Sequence, residues 1–173
     1  LVVDGYIAMN QGPLEMFACP VGTKEHESVV AVLAHAREVH AGLLAIGADS
    51  GTPVSFNPEY RPATGQRIAI WAMWKDSEGK IQKTKAQQWV KNLREDKPLE
   101  LDWVFEGSSF WKDPESGREY YQADSGDLVC VSNFSTAMMD LPVESSQSNA
   151  SLAYVANSEK IPEAGTPVRL IFV

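Results

Sequence analysis

Residues 16–47 read MFACPVGTKEHESVVAVLAHAREVHAGLLAIG, and no other stretch limits the fold as much. An apolar run ends at Cys19, a Pro-Val-Gly-Thr turn follows, and then comes the longest apolar pattern with helical spacing in the chain. Val29, Leu33, Ala36, His40 and Leu43 recur at that spacing, with Val30, Leu44 and Ile46 beside them. Thr23 suits an N-cap, Glu25 and Glu27 suit a first turn where the helix dipole favours anions, and Gly47 suits a C-terminal stop. The expectation is one long helix over residues 23–47, a rod of about 35 Å.

The rest of the chain reads as strands and turns. Asp4-Gly5 marks a turn between two short opening strands, and residues 14–19 read as a buried strand closed by Pro20 and Gly22. Residues 66–74 (QRIAIWAMW) alternate, turn at 75–80 and return from Ile81. Residues 103–111 turn at 112–118 and return through 119–123. Both hairpins carry Trp-Lys-Asp before the turn and a glycine after it, which is better explained by turn chemistry than by internal duplication. Residues 168–173 (VRLIFV) form a terminal strand. The fold class expected is therefore α+β: one domain over residues 1–173, with a mainly antiparallel sheet of several hairpins packed against the long helix.

Composition narrows the function. Lys and Arg number 15 against 23 Asp and Glu, a net charge of −8, which argues against a nucleic-acid backbone as partner. No run of about 18 apolar residues exists, so no transmembrane segment is expected. The opening LVVDGYIAMN is strand-like and lacks the charged and apolar regions of a signal peptide, and it reads as the start of a processed or trimmed chain.

Reactive side chains concentrate near the Pro-Val-Gly-Thr turn. Cys19 and Cys130 are the only cysteines, which leaves a disulfide, two buried thiols, or one reactive thiol with a spectator. Two cysteines cannot supply a conventional four-cysteine iron–sulfur cluster. Cys19 before a helix N-terminus, with His26 in the first turn, is the minimum for a nucleophilic thiol, with Asn133, Asn149 or Asp140 as the orienting third group. Cys19 and His26 are also the candidate metal ligands, although no recognised zinc spacing surrounds them. Lys24, Glu25 and Glu27 are candidate binding residues beside them, and Ser145 and Ser146 form a second candidate in a polar loop. His40 falls on the apolar face and reads as a core histidine, while His35 reads as exposed. The tryptophans at 71, 74, 89, 103 and 111 lie on or beside the two hairpins, where they serve either as core or as the lining of a carbohydrate or ligand cleft.

The strings LEMFACPVGTKEHESVV, FWKDPESGREYY, DLVCVSNF and PVESSQ resemble the YdjY-domain family, and the resemblance runs from Val2 to about Val173. It implies a bacterial protein of a family whose members are often exported, hence an extracytoplasmic location, periplasmic or secreted. The family brings no activity, cofactor or partner with it. Some members are labelled ferredoxin-like, and the cysteine count of this chain departs from that label. Taken together, the expectation is a non-enzymatic binding or interaction module with its site around residues 19–28. The alternatives are a metal-binding protein using Cys19 and His26, or a cysteine-dependent enzyme with Cys19 as nucleophile.

Overall fold

The structure is a computed structural model and describes residues 1–144 and 153–173. In chain order its strands are β1 (Val2–Ile7), β2 (Met16–Pro20), β3 (Ser28–Val32), β4 (Gln66–Ile68), β5 (Ile70–Lys75), β6 (Ile81–Lys85), β7 (Val90–Asn92) and β8 (Lys97–Pro98). They continue with β9 (Trp103–Phe105), β10 (Phe110–Lys112), β11 (Glu119–Tyr121), β12 (Val129–Cys130), β13 (Met139–Asp140), β14 (Tyr154–Ala156) and β15 (Pro167–Phe172). One α-helix, α1, spans Ala36–Ala45, and single 3-10 turns lie at Glu25–Glu27, Ala86–Trp89 and Gln122–Ser125. Ten strands form one curled sheet in the order β4-β9-β13-β12-β2-β3-β1-β15-β5-β6. Strands β14, β7 and β8 form a small second sheet, and β10 with β11 forms a separate hairpin.

The α+β expectation with a long helix is overturned. The chain is mostly β, and its helix of ten residues begins thirteen positions later than Thr23. Residues 28–32 (SVVAV) form a central strand instead, paired in parallel with β2 and antiparallel with β1. All five residues of β3 are buried, and so are all five of β2. A strand covered on both faces needs a continuous apolar run rather than alternation, and β-branched Val29, Val30 and Val32 fit that pleated surface better than a helix. The helix starts where His35 adopts an extended conformation and its N–H donates to the Glu38 carboxylate at 2.8 Å. It ends before Gly47, whose φ of +91° is readily reached only without a Cβ.

The expected turn at Asp4-Gly5 is also corrected, because both residues lie inside β1. Gly5 is there for close approach: a Cβ would sit 2.4 Å from the Ala31 carbonyl oxygen of β3.

The core is aromatic at its centre. Phe17 of β2 packs against Trp89 and Trp103, with ring centroids 6.5 and 5.4 Å apart. Trp103 donates its indole N–H to the Cys130 carbonyl at 2.8 Å, tying β9 to β12. Trp74 meets Trp89 from β5 at 5.2 Å.

Candidate functional site

The segment around residues 19–28 connects β2 to its parallel neighbour β3. The turn is closed by Glu25, whose carboxylate accepts the Gly22 N–H at 2.6 Å, and by Thr23, whose hydroxyl donates to the Pro20 carbonyl. The Gly22 N–H bond holds the Glu25 carboxyl below the usual carboxylate range. Within this connection the expected pair comes apart. Cys19 lies in β2 with no solvent exposure, and burial pushes its thiol up. His26 points outward, its side chain 78% exposed and 3.9 Å from a Glu27 oxygen. The two therefore share no site in which a metal or a nucleophile–base pair forms.

Both cysteines are free and buried. Cys130 packs with Met16 and Ala137, and it is paired with Met16 across β12 and β2. Side chains alternate along a strand, so Cys19, three residues from Met16, projects from the other face of β2. The disulfide expectation is not realised, and this alternation is the reason. Of the proposed orienting groups, Asp140 lies near Cys130 and raises its pKa after burial and Asp127 have done so. Ser145, Ser146 and Asn149 lie outside the described residues.

Lys24 turns inward. Its ammonium stands 2.8 Å from Asp127 Oδ1, 3.9 Å from Glu27 Oε1 and 4.8 Å from the centre of the Phe134 ring. Burial pulls the Lys24 pKa down, but the hydrogen bond and charge of Asp127 outweigh this and hold it above the ordinary value. Asp127 also accepts the Thr136 hydroxyl. The Lys24 stem crosses Gly126, where a Cβ would lie 2.5 Å from Lys24 Cγ. Lys24 and Glu25 thus serve the fold first: one neutralises a buried carboxylate, the other closes a turn.

Two acids are buried close together: Glu106, which no sequence motif marks, and Asp140, expected only as an orienting group for a thiol. Glu106, 1% exposed, follows β9 and accepts the Val54 N–H at 3.1 Å; its other carboxylate oxygen has no hydrogen-bond partner among the described residues. Burial, with Asp140 nearby, pushes its pKa up to about 10. Asp140 is fully buried and accepts N–H groups from Leu141 at 2.7 Å and Phe134 at 3.1 Å. Burial outweighs those bonds and pushes its pKa up to about 8. Asn133 is buried beside them, accepting from the Tyr60 hydroxyl and donating to the Leu141 carbonyl, each at 3.3 Å. No sequence signal joins Glu106 to Asp140, because only the pairing of β9 with β13 brings them together. Among the described residues no group of three or more His, Cys, Asp and Glu is placed to hold a metal ion.

An exposed aromatic cluster lies on the β10–β11 hairpin. Phe110, Trp111 and Tyr120 are 67%, 50% and 45% exposed. Trp111 and Tyr120 are cross-strand partners with ring centroids 5.8 Å apart and planes 33° from parallel. Asp113 holds the turn by accepting from the Glu115 N–H and the Ser116 hydroxyl. Beneath the two rings lies a pocket of about 400 Å³, completed by Gln122, Asp124, Ser125 and Thr136. Its rim is fixed from behind. Asp124 takes the Arg37 guanidinium at 3.0 Å and the Arg37 backbone N–H at 3.1 Å, which caps the first turn of α1 from a distant loop. Tyr121 is buried and bonds both His40 and the Gly107 carbonyl.

The tryptophans therefore divide. Trp89 and Trp103 are core, Trp74 packs against the core, Trp71 lies under Lys83 and Lys85, and Trp111 faces solvent. This is a mainly β domain with an aromatic-walled pocket open on its β10–β11 hairpin. The model of the YdjY domain matches residues 2–173, and the chain belongs to that family. It matches no curated protein and no solved structure. Among the described residues no helix is long and apolar enough to cross a membrane.

Proposed function

We propose that this domain is an extracytoplasmic binding module that holds a neutral saccharide on the Trp111–Tyr120 face. The observation that carries the reading is this exposed ring pair above a pocket with Gln122 and Ser125 at its polar edge. Leaving large apolar side chains in water forfeits about 1.5–3 kcal/mol each, and clustered exposure of this kind marks interaction surfaces. A sugar ring offers one face of C–H groups and an equator of hydroxyls. It stacks on an indole or phenol ring and hydrogen-bonds to side groups at the edge, the combination that ligand pockets use. Export is supported by the habit of the family.

Calorimetric titration with cellohexaose, chitohexaose and maltohexaose tests the reading. Saturable binding of one of them, weakened at least tenfold by Trp111→Ala with the thermal midpoint unchanged, supports it. Equal binding by wild type and variant contradicts it.

A further inference from the structure

A second surface, independent of the pocket, lies at the edge of the ten-stranded sheet. Among the described residues, strand β6 pairs only with β5. The phase of that ladder follows from its turn: the Asp76 N–H donates to the Lys80 carbonyl at 3.0 Å, and the Gly79 N–H to the Asp76 carbonyl at 2.9 Å. Hydrogen-bonded pairs alternate along antiparallel strands, so Trp74 with Gln82 and Ala72 with Thr84 carry the next bonds. The backbone N–H and C=O groups of Ile81, Lys83 and Lys85 consequently point away from β5. Among the described residues Ile81 and Lys83 have no other backbone partner, while the Lys85 C=O opens the 3-10 turn Ala86–Trp89 and leaves only its N–H for a further strand.

The side chains at these positions share the outer face with Trp71, Met73 and Lys75. Ile81 is 62% exposed and borders a groove of about 570 Å³ that reaches Met73, Leu33 and Arg169. Lys83 and Lys85 lie 4.6 and 5.9 Å from the Trp71 ring. Among the described residues neither they nor Lys75 forms an ion pair, whereas Arg169 is neutralised by Asp4 at 2.7 Å. A chain of net charge −8 thus places two lysines without an ion pair on this open edge strand, with Lys75 of β5 on the same face.

An open edge invites another strand, and lysines on it oppose a second copy. Two β6 edges meeting antiparallel about Lys83 would set ammonium against ammonium, which is destabilising. The same charges favour a carboxylate-bearing strand. We propose that the β6 edge docks an extended acidic segment of a partner protein by strand addition. Its backbone bonds Ile81, Lys83 and the Lys85 N–H, and its alternate carboxylates face Lys83 and Lys85.

The probe is a fluorescein-labelled acetyl-(Glu-Val)₃-amide peptide, followed by anisotropy, together with its counterpart N-methylated at alternate residues and a (Lys-Val)₃ control. The expected result is saturable binding of the acidic peptide alone, with slowed amide hydrogen exchange at Ile81, Lys83 and Lys85. The double variant Lys83→Glu, Lys85→Glu is expected to weaken it at least tenfold while the thermal midpoint holds. Equal binding of the N-methylated peptide would mean charge attraction without a strand and would overturn the proposal. Absence of acidic-peptide binding at low salt overturns it too, as does concentration-dependent dimerisation that slows exchange at the same three amides.

Discussion

The Nδ1 atom of His40 and the hydroxyl oxygen of Tyr121 lie 2.7 Å apart, joining α1 to the hairpin that carries the exposed rings. The Tyr121 hydroxyl also bonds the Gly107 carbonyl at 3.0 Å, so it ties α1 to the segment after β9. The imidazole also meets Phe105 edge-on at 4.9 Å. Tyr121→Phe removes both bonds and leaves two polar groups without a partner. It is expected to lower stability by about 1–3 kcal/mol, measured by urea denaturation, and to weaken saccharide binding although the residue lies behind the exposed face.

Burial depresses the His40 pKa. Its folded value lies below its unfolded one, near ~6.5, so the unfolded chain binds the proton first. Stability from this group is complete above that pH and declines as pH falls below it. His40→Phe is expected to remove this part of the decline, read from denaturation midpoints across mildly acidic pH.

Glu106 and Asp140 act in the opposite direction. Both carboxyls are raised, to about 10 and about 8, so the folded chain holds protons that the unfolded chain has released. Stability is expected to fall as pH rises from the usual carboxylate range, near ~4, through those folded values. Glu106→Gln keeps an acceptor for the Val54 N–H and carries no charge. It is expected to flatten the alkaline part of the curve and to exceed wild type by about 1–3 kcal/mol at high pH, with urea titrations at several pH values as the check.

Lys24 and Asp127 form a pair in which the carboxylate is the more deeply buried member. Lys24→Ala leaves Asp127 without its cation and is expected to cost about 1–3 kcal/mol. Gly126→Ala is expected to destabilise by about 1 kcal/mol or more, since the backbone there has φ of +135° and the new Cβ meets the Lys24 stem. Thermal midpoints of the two variants test both statements.

What the sequence disclosed depended on the range of the interactions involved. The hairpin turns were readable because Asp76 and Gly79, and Asp113 and Gly117, act within a few residues of themselves. The stretch at 28–32 also satisfies a helical period, and strand β3 is decided instead by β1 and β2 closing over it from both sides. For the candidate site, the crowding of Lys24, Glu25 and Glu27 was visible, but their duties were not. Those duties are set by Asp127, far along the chain, and by the backbone of Gly22. Cys19 and His26 looked adjacent because a helix was assumed, whereas a strand and an exposed turn send them apart.

Thiol titration in the absence of reductant checks the cysteines. Neither Cys19 nor Cys130 is expected to react in the native state, since both are buried and burial raises both thiols. Both are expected to react after denaturation, and a denatured chain yielding no free thiol would indicate a disulfide.

The binding reading is tested most directly by a two-dimensional NMR titration of the folded domain with cellohexaose, chitohexaose and maltohexaose, following the tryptophan indole signals. The account predicts that one of them shifts the Trp111 indole together with the amides of Tyr120, Gln122 and Ser125, while the Trp89 and Trp103 indoles stay in place. A shift pattern centred elsewhere, or no shift with any of the three sugars, would contradict it.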